Sequence, residues 1–331
     1  MSSTTDYANP FIPERADPYI VKGRDGYYYF TASYPMKSDE DEEGYDRVVL
    51  RRAKTICGLM EAEEITIWRA DETTQSHRFI WAPELHYIGG RWYIFYAGSG
   101  SAEDRWAFDC HVLQCQSDNP YTGEWKEQGK FQKTEGDTFS FTGFSLDMTY
   151  FEAGGRAYVI WAQHNEVKIS CLYIGEISPA EPWKLISAPM LLTKPEYDWE
   201  QVRFAVNEGP AVLKHDGKIF VAFSASGTGP EYCVGLLEAG EESDLLAKEA
   251  WKKHEKPLLT SEDLTGEYGP GHNSFVKDEE GNDLFVYHAR SQACYEGKCG
   301  YSQNDPLYDP CRHARIRRVL WGEDGMLAIE K

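Results

Sequence analysis

Apolar and aromatic positions along this chain arrive in pairs of short runs, each pair flanking a turn that contains glycine. The phrase reads DPYIVKGRDGYYYFTAS from Asp17, WAPELHYIGGRWYIFYAGS from Trp81 and DMTYFEAGGRAYVIWAQ from Asp147. It returns as EGPAVLKHDGKIFVAFSAS from Glu208 and HNSFVKDEEGNDLFVYHAR from His272. Alternating apolar residues predict strands, and a glycine that can take positive φ between them predicts a β-hairpin. The turn glycines Gly26, Gly90, Gly155, Gly217 and Gly281 are spaced by 64, 65, 62 and 64 residues. Between the hairpins there is room for two further strands per unit. Candidates are Val48–Arg52 with Ile65–Trp68, Cys110–Gln116 with Trp125–Gly129, and Cys171–Ile177 with Trp183–Ile186. Four strands in each of five equal units predict an all-β, five-bladed β-propeller of about 64 residues per blade, one domain over residues 1–331. A pair of β-sandwiches is equally rich in strands but predicts no equal period.

Nine residues before the turn glycine stand Asp17, Trp81, Glu208 and His272, with Asp147 joining them if one loop residue is missing. The first strand of each propeller blade lines the central channel, so these positions predict a ring near one end of it. A single carboxylate at a strand start is ordinarily a turn cap or a solvated group. Three carboxylates held together in a narrow funnel repel one another, and that cost points to function.

Composition narrows the chemistry. The net charge of −20 disfavours phosphate backbones, so no nucleic-acid partner is expected. No apolar run approaches a membrane span, and the first residues have neither a basic start nor an apolar stretch. These features predict a cytoplasmic protein with no membrane partner. The eight cysteines lack metal-type CxxC spacing and read as reduced thiols, with a Cys294–Cys299 link as the open alternative. The acidic stretches Asp39–Glu43 and Glu238–Asp244 read as solvated loops.

Hydrolysis of a glycoside needs one carboxylic acid to protonate the leaving oxygen and one carboxylate as base or nucleophile. A third carboxylate raises the acid's pKa by proximity or holds it in place. Acids on different blades suit a wide separation, roughly 6.5–9.5 Å, and hence inversion.

At Arg15-Ala16-Asp17-Pro18, Trp81-Ala82-Pro83-Glu84, Ser145-Leu146-Asp147, Asn207-Glu208-Gly209-Pro210 and Gly269-Pro270-Gly271-His272-Asn273 the chain resembles glycoside hydrolase family 43. The pieces stand in the family's order and span all five blades. The resemblance implies an inverting hydrolase of arabinan- or xylan-type glycosides. Asp17 is then the general base, Glu208 the general acid and Asp147 the pKa modulator that orients Glu208. Trp81 and Phe144 resemble subsite walls that stack on the sugar. His272 resembles a residue bound, directly or through water, to a structural calcium or sodium ion in the channel; a hydrogen-bonded core imidazole is the equal alternative. Cys311-Arg312-His313-Ala314-Arg315 with Trp321 resembles the last-blade motif, which makes Arg312 the substrate-binding cation and Arg290 a second candidate.

Within the family, the wording around Asp17, Trp81 and Glu208 resembles exo-acting arabinofuranosidases that trim α-1,5-linked arabino-oligosaccharides. Arabinose- or xylose-containing oligosaccharides are therefore the expected partners. The fifth repeat ends near the last residue, so the second domain that follows the propeller in many related β-xylosidases is not expected. Insertions at Lys37–Tyr45, Ser101–Phe108 and Lys133–Phe144 are expected to wall one side of the funnel. The alternatives are a β-xylosidase or endo-arabinanase and, from another class, a non-catalytic sugar-binding propeller.

Overall fold

A computed structural model describes residues 7–37, 44–101, 104, 106–301 and 305–331. The chain forms five antiparallel sheets, each built from consecutive strands. Blade 1 holds β1 (Ala16–Lys22), β2 (Tyr28–Ser33), β3 (Arg47–Ala53) and β4 (Ile65–Arg69). Blade 2 holds β5 (Arg78–Ile88), β6 (Arg91–Ser99), β7 (Phe108–Cys115) and β8 (Trp125–Lys130). Blade 3 holds β9 (Ser145–Ala153), β10 (Arg156–His164), β11 (Ser170–Ser178) and β12 (Glu181–Leu185), with β13 (Met190–Thr193) also paired to β11. Blade 4 holds β14 (Asn207–His215), β15 (Lys218–Ala225), β16 (Cys233–Gly240) and β17 (Lys252–Lys253). Blade 5 holds β18 (Glu267–Lys277), β19 (Asp283–Ser291), β20 (His313–Trp321) and β21 (Leu327–Ile329). This is the expected five-bladed propeller, and all five turn glycines have φ between 72° and 90°.

The apolar cores lie between blades. Val48 and Leu50 of blade 1 pack with Leu85 and Ile94 of blade 2, and Phe95 with Val159 and Trp161 of blade 3. Ile160 packs with Val221 and Phe223 of blade 4, and Phe220 with Phe285 and Tyr287 of blade 5. Ile20 and Phe30 of blade 1 meet Val286 and Ile316 of blade 5 and complete the ring. A backbone seam reinforces this closure. Ile12 pairs with Ala314 of β20, and the Asn9 side chain both donates to the Ile316 carbonyl and accepts its N–H.

One local device repeats five times. The inner strand carries an extra residue in the left-handed region, at Asp17 (φ 54°), Ala82 (46°), Asp147 (55°), Gly209 (50°) and His272 (40°). On either side of it the register slips by one residue, as in a β-bulge. Asp and His tolerate this conformation better than most residues. Gly209 is required twice over, because a Cβ there would also meet His272 Cγ at 3.1 Å.

The bulge corrects the expected ring. Blades 2, 3 and 4 have two-residue hairpin turns and blades 1 and 5 longer ones. A constant count back from the glycine therefore lands on the bulge residue in blades 1 and 5 but one place early at Trp81 and Glu208. Asp17, Asp147 and His272 occupy the bulge itself, while Trp81 and Glu208 stand immediately before it. Asp147 stands eight residues before its glycine where Asp17 and His272 stand nine before theirs, in keeping with the shorter turn of blade 3.

Of the two acidic stretches, Asp39–Glu43 lies outside the described residues. Glu238–Asp244 is not wholly loop: Glu238 belongs to β16, where its carboxylate pairs with Lys218 and Lys252.

Candidate active site

The bulge residues and their neighbours converge on one funnel lined by Asp17, Trp81, Leu146, Asp147, Glu208, Thr228, Tyr232, His272, Leu307 and Arg312. Its positions are fixed by hydrogen bonds that run from blade to blade. The residues of the second strands that face the place before each bulge are Ser33, Ala97, Ala162, Ser224 and His288. Ala82 N donates to Ser33 Oγ at 2.9 Å, and His272 N to Ser224 Oγ at 2.7 Å. Asp17 N donates to His288 Nδ1 at 3.1 Å. Ala162 has no acceptor, and there Asp147 Oδ2 takes the N–H of Gly209 at 3.0 Å. Asp147 is thereby held by the backbone beside Glu208.

Asp17 Oδ2 accepts a hydrogen bond from Ser33 Oγ at 2.5 Å, and its Oδ1 lies 3.3 Å from His272 Nδ1 and 3.7 Å from Arg312 Nη1. The same His272 nitrogen is 3.7 Å from Asp147 Oδ2. Glu208 Oε1 accepts from Tyr232 Oη at 2.8 Å. The Tyr232 ring stacks on His288 at 5.8 Å and stands where a side chain on Gly271 would have to go, 2.1 Å from the position of its Cβ.

Burial and charge push these groups apart. Burial works to raise Asp17, but the charges of His272 and Arg312 outweigh it and hold the carboxyl far below its usual range. Asp147 is raised by burial and by Glu208 and Asp17, against the opposing pull of His272. Glu208 is raised too, chiefly by burial, with Tyr232 and His272 working the other way. Burial lowers His272, yet Asp147, Asp17 and Glu208 raise it above the ordinary histidine value. Burial pushes His288 down to about 4, so its Nδ1 stays a neutral acceptor for Asp17 N. One funnel thus holds a base biased toward its ionised form beside acids biased toward their protonated form.

The Tyr232 hydrogen bond stabilises ionised Glu208, so removing it raises the Glu208 pKa. Tyr232→Phe should therefore move the alkaline limb of kcat/KM to higher pH. A profile from pH 4 to 10 checks this, and a limb moved to lower pH would refute the assigned contact.

Beside the funnel a cleft of about 460 Å³ opens along blades 2, 3 and 4, lined by Trp81, Trp106, Phe144, His164, Phe204 and Thr228 among others. Glu208 lines both spaces. Trp81 stacks on Phe108 at 4.4 Å and Phe144 on His164 at 4.1 Å. Two expected insertions contribute, through Trp106 and Phe144. Of the third, Tyr45 is buried behind Trp81 with its ring 5.6 Å away and lines neither space; residues 38–43 are outside the described part.

Arg312 is where the sequence places it, with Nη2 donating to the Leu307 carbonyl at 2.6 Å. Arg290 is not brought into the funnel: it pairs with buried Asp309 and lies over the Tyr295 ring at 4.9 Å. Sequence reasoning missed Tyr232 and His288. His288 was visible as the one bulky residue at a place held by serine or alanine in the other four blades. Nothing periodic marks Tyr232.

His272 would offer an ion one nitrogen, Nε2, since Nδ1 faces the two aspartates. Calcium takes six to eight oxygens. Among the described residues the single group of three or more His, Cys, Asp or Glu donor atoms within 4.8 Å of one another is a cysteine trio elsewhere. The funnel's own donors therefore fit an ion only through one imidazole, and the chemistry below uses none.

Fold and funnel together define a propeller whose channel mouth carries three unlike carboxylates. The chain belongs to the glycosyl hydrolases family 43, whose family model matches residues 7–327. It is 42% identical to the extracellular exo-α-(1→5)-L-arabinofuranosidase of Streptomyces avermitilis over 98% of this chain and 63% of that protein. It is 44% identical to the extracellular exo-α-(1→5)-L-arabinofuranosidase of Streptomyces chartreusis, over 86% of this chain and 82% of that one. The crystal structure of an α-L-arabinofuranosidase from Lactobacillus brevis superposes with a TM-score of 0.85 at 40% identity, covering 97% of this chain and 95% of that one. The chain thus spans under two thirds of the Streptomyces avermitilis relative. Both Streptomyces relatives are named extracellular, which overturns the expected cytoplasmic location. A sequence lacking a visible leader is a poor guide to compartment.

Proposed function

We propose that this chain is an inverting, exo-acting α-L-arabinofuranosidase that removes terminal residues from α-1,5-linked arabino-oligosaccharides outside the cell. The observation that carries the reading is the split ionisation of one buried funnel, with Asp17 held ionised and Glu208 raised. Asp17 takes a proton from water as the water oxygen bonds to the anomeric carbon. The bond to the leaving sugar breaks as Glu208 gives its proton to the departing oxygen. Asp147, fixed by Gly209 N–H and with its pKa pushed up to about 8, disfavours a second negative charge beside Glu208, so the pair tends to retain the proton that Glu208 delivers. Arg312 and His272 balance Asp17. In this reading the terminal sugar sits at the mouth of the funnel and the leaving chain in the aromatic cleft, since Glu208 borders both. The names of the relatives support the arabinofuranosyl choice over xylose.

Arabino-oligosaccharides and debranched arabinan followed by proton NMR test the proposal. Arabinose should appear from chain ends, first as the β-anomer. Early internal fragments from the polymer would refute exo action, early α-anomer would refute inversion, and faster cleavage of an aryl xyloside would refute the sugar.

A further inference from the structure

The connection from β19 to β20 carries three of the eight cysteines, and the carboxylate funnel makes no use of their chemistry. Cys294 lies in a short helical turn, Gln292–Tyr295; Cys299 follows in the loop, and Cys311 directly precedes Arg312. The three sulfurs lie within 4.8 Å of one another, and none is in a disulfide. Cys294 and Cys311 are buried, while Cys299 is partly exposed.

We propose that Cys294, Cys299 and Cys311 form a three-thiolate site for a thiophilic divalent cation, best matched by zinc, with its fourth position open on the Cys299 side. A tetrahedral zinc thiolate has Zn–S of about 2.3 Å, which sets its sulfurs roughly 3.8 Å apart. The trio reaches that spacing by closing up by at most about 1 Å. A disulfide needs sulfurs at about 2.05 Å and joins two thiols, leaving a third without a role. Soft thiolates also select zinc over calcium or magnesium.

Buried Asp309 lies next to the trio, its charge balanced by Arg290. Burial raises Cys299, but hydrogen bonding with Cys311 and Cys294 brings it below the ordinary thiol value, whereas Cys311 is raised by burial and by both neighbours. A bound cation would stabilise all three as thiolates. The site would fasten both ends of the segment that carries Leu307, whose carbonyl holds Arg312 beside Asp17.

The test is anaerobic titration of the full chain, reduced and freed of metal by a chelator, with Co²⁺. A thiolate-to-cobalt charge-transfer band should grow to saturation at one ion per chain and disappear on adding Zn²⁺. Cys299→Ser should reduce the band and weaken zinc binding at least about tenfold, while Cys57→Ser, at an exposed cysteine away from the trio, should leave both unchanged. Zinc should raise the Tm of the parent chain more than that of Cys299→Ser, a readout independent of colour. Absence of the band from fully reduced protein would overturn the proposal, as would a band equally strong in Cys299→Ser. So would recovery of a stable disulfide within the trio that, once reduced, still leaves cobalt unbound.

Discussion

Glu208→Gln should lower kcat/KM on an arabino-oligosaccharide by about 10²–10⁴-fold, the usual contribution of a positioned general acid. The loss should shrink sharply on aryl glycosides whose phenol is acidic, because a good leaving group departs without a proton. Glutamine keeps the shape of the side chain, and its amide oxygen still accepts from Tyr232 Oη, so the funnel should retain its form. The decisive measurement is a leaving-group series for parent and variant. A steeper dependence in the variant identifies the acid. A loss of equal size for every leaving group would remove Glu208 from that role.

Asp17→Asn should cost a comparable factor, about 10²–10⁴, but uniformly across the same series, because water activation is needed whatever departs. Asparagine tolerates the left-handed backbone of this position, φ 54°, and its carbonyl can accept from Ser33 Oγ. What it cannot do is take a proton or balance His272 and Arg312. The His272 pKa should therefore fall, since Asp17 is among the charges that raise it. An imidazole NMR titration reads that shift without any turnover. Full activity in Asp17→Asn, or an unchanged His272 titration, would contradict the assigned geometry.

The five-fold repeat was legible because burial imposes it: each blade must hide two faces against its neighbours, so the same apolar alternation recurs. The three carboxylates were legible for the opposite reason, being polar where the pattern leads into the channel. The one-residue offset between Asp17 and Glu208 was not. It depends on a bulge closed by main-chain geometry and on hairpin turns of unequal length, neither of which alters the apolar pattern. Arg290 was misplaced because a sequence shows a cation but not its partner; Asp309, nineteen residues on, claims it first. Tyr232 comes from the loop before β16 and reaches Glu208 only after folding.

The funnel tolerates its charges because they are balanced. Asp17 faces His272 and Arg312, and the upward shifts of Asp147 and Glu208 disfavour further negative charge beside it. Burial of unpaired carboxylates would cost far more.

The blade-to-blade hydrogen bonds have a consequence for how this molecule tolerates change. Four of the five bulge N–H groups, those of Asp17, Ala82, Gly209 and His272, are served by a side chain of the preceding blade, so the acceptors Ser33, Asp147, Ser224 and His288 are linked positions rather than separate fittings. Substitutions among them should be epistatic, with effects on the double variant that differ from the sum of the singles. A residue borrowed from the matching place of another blade would leave one donor unserved and disturb the next link. These positions are therefore inherited as a linked set, and grafting the funnel onto another propeller means moving the hub whole.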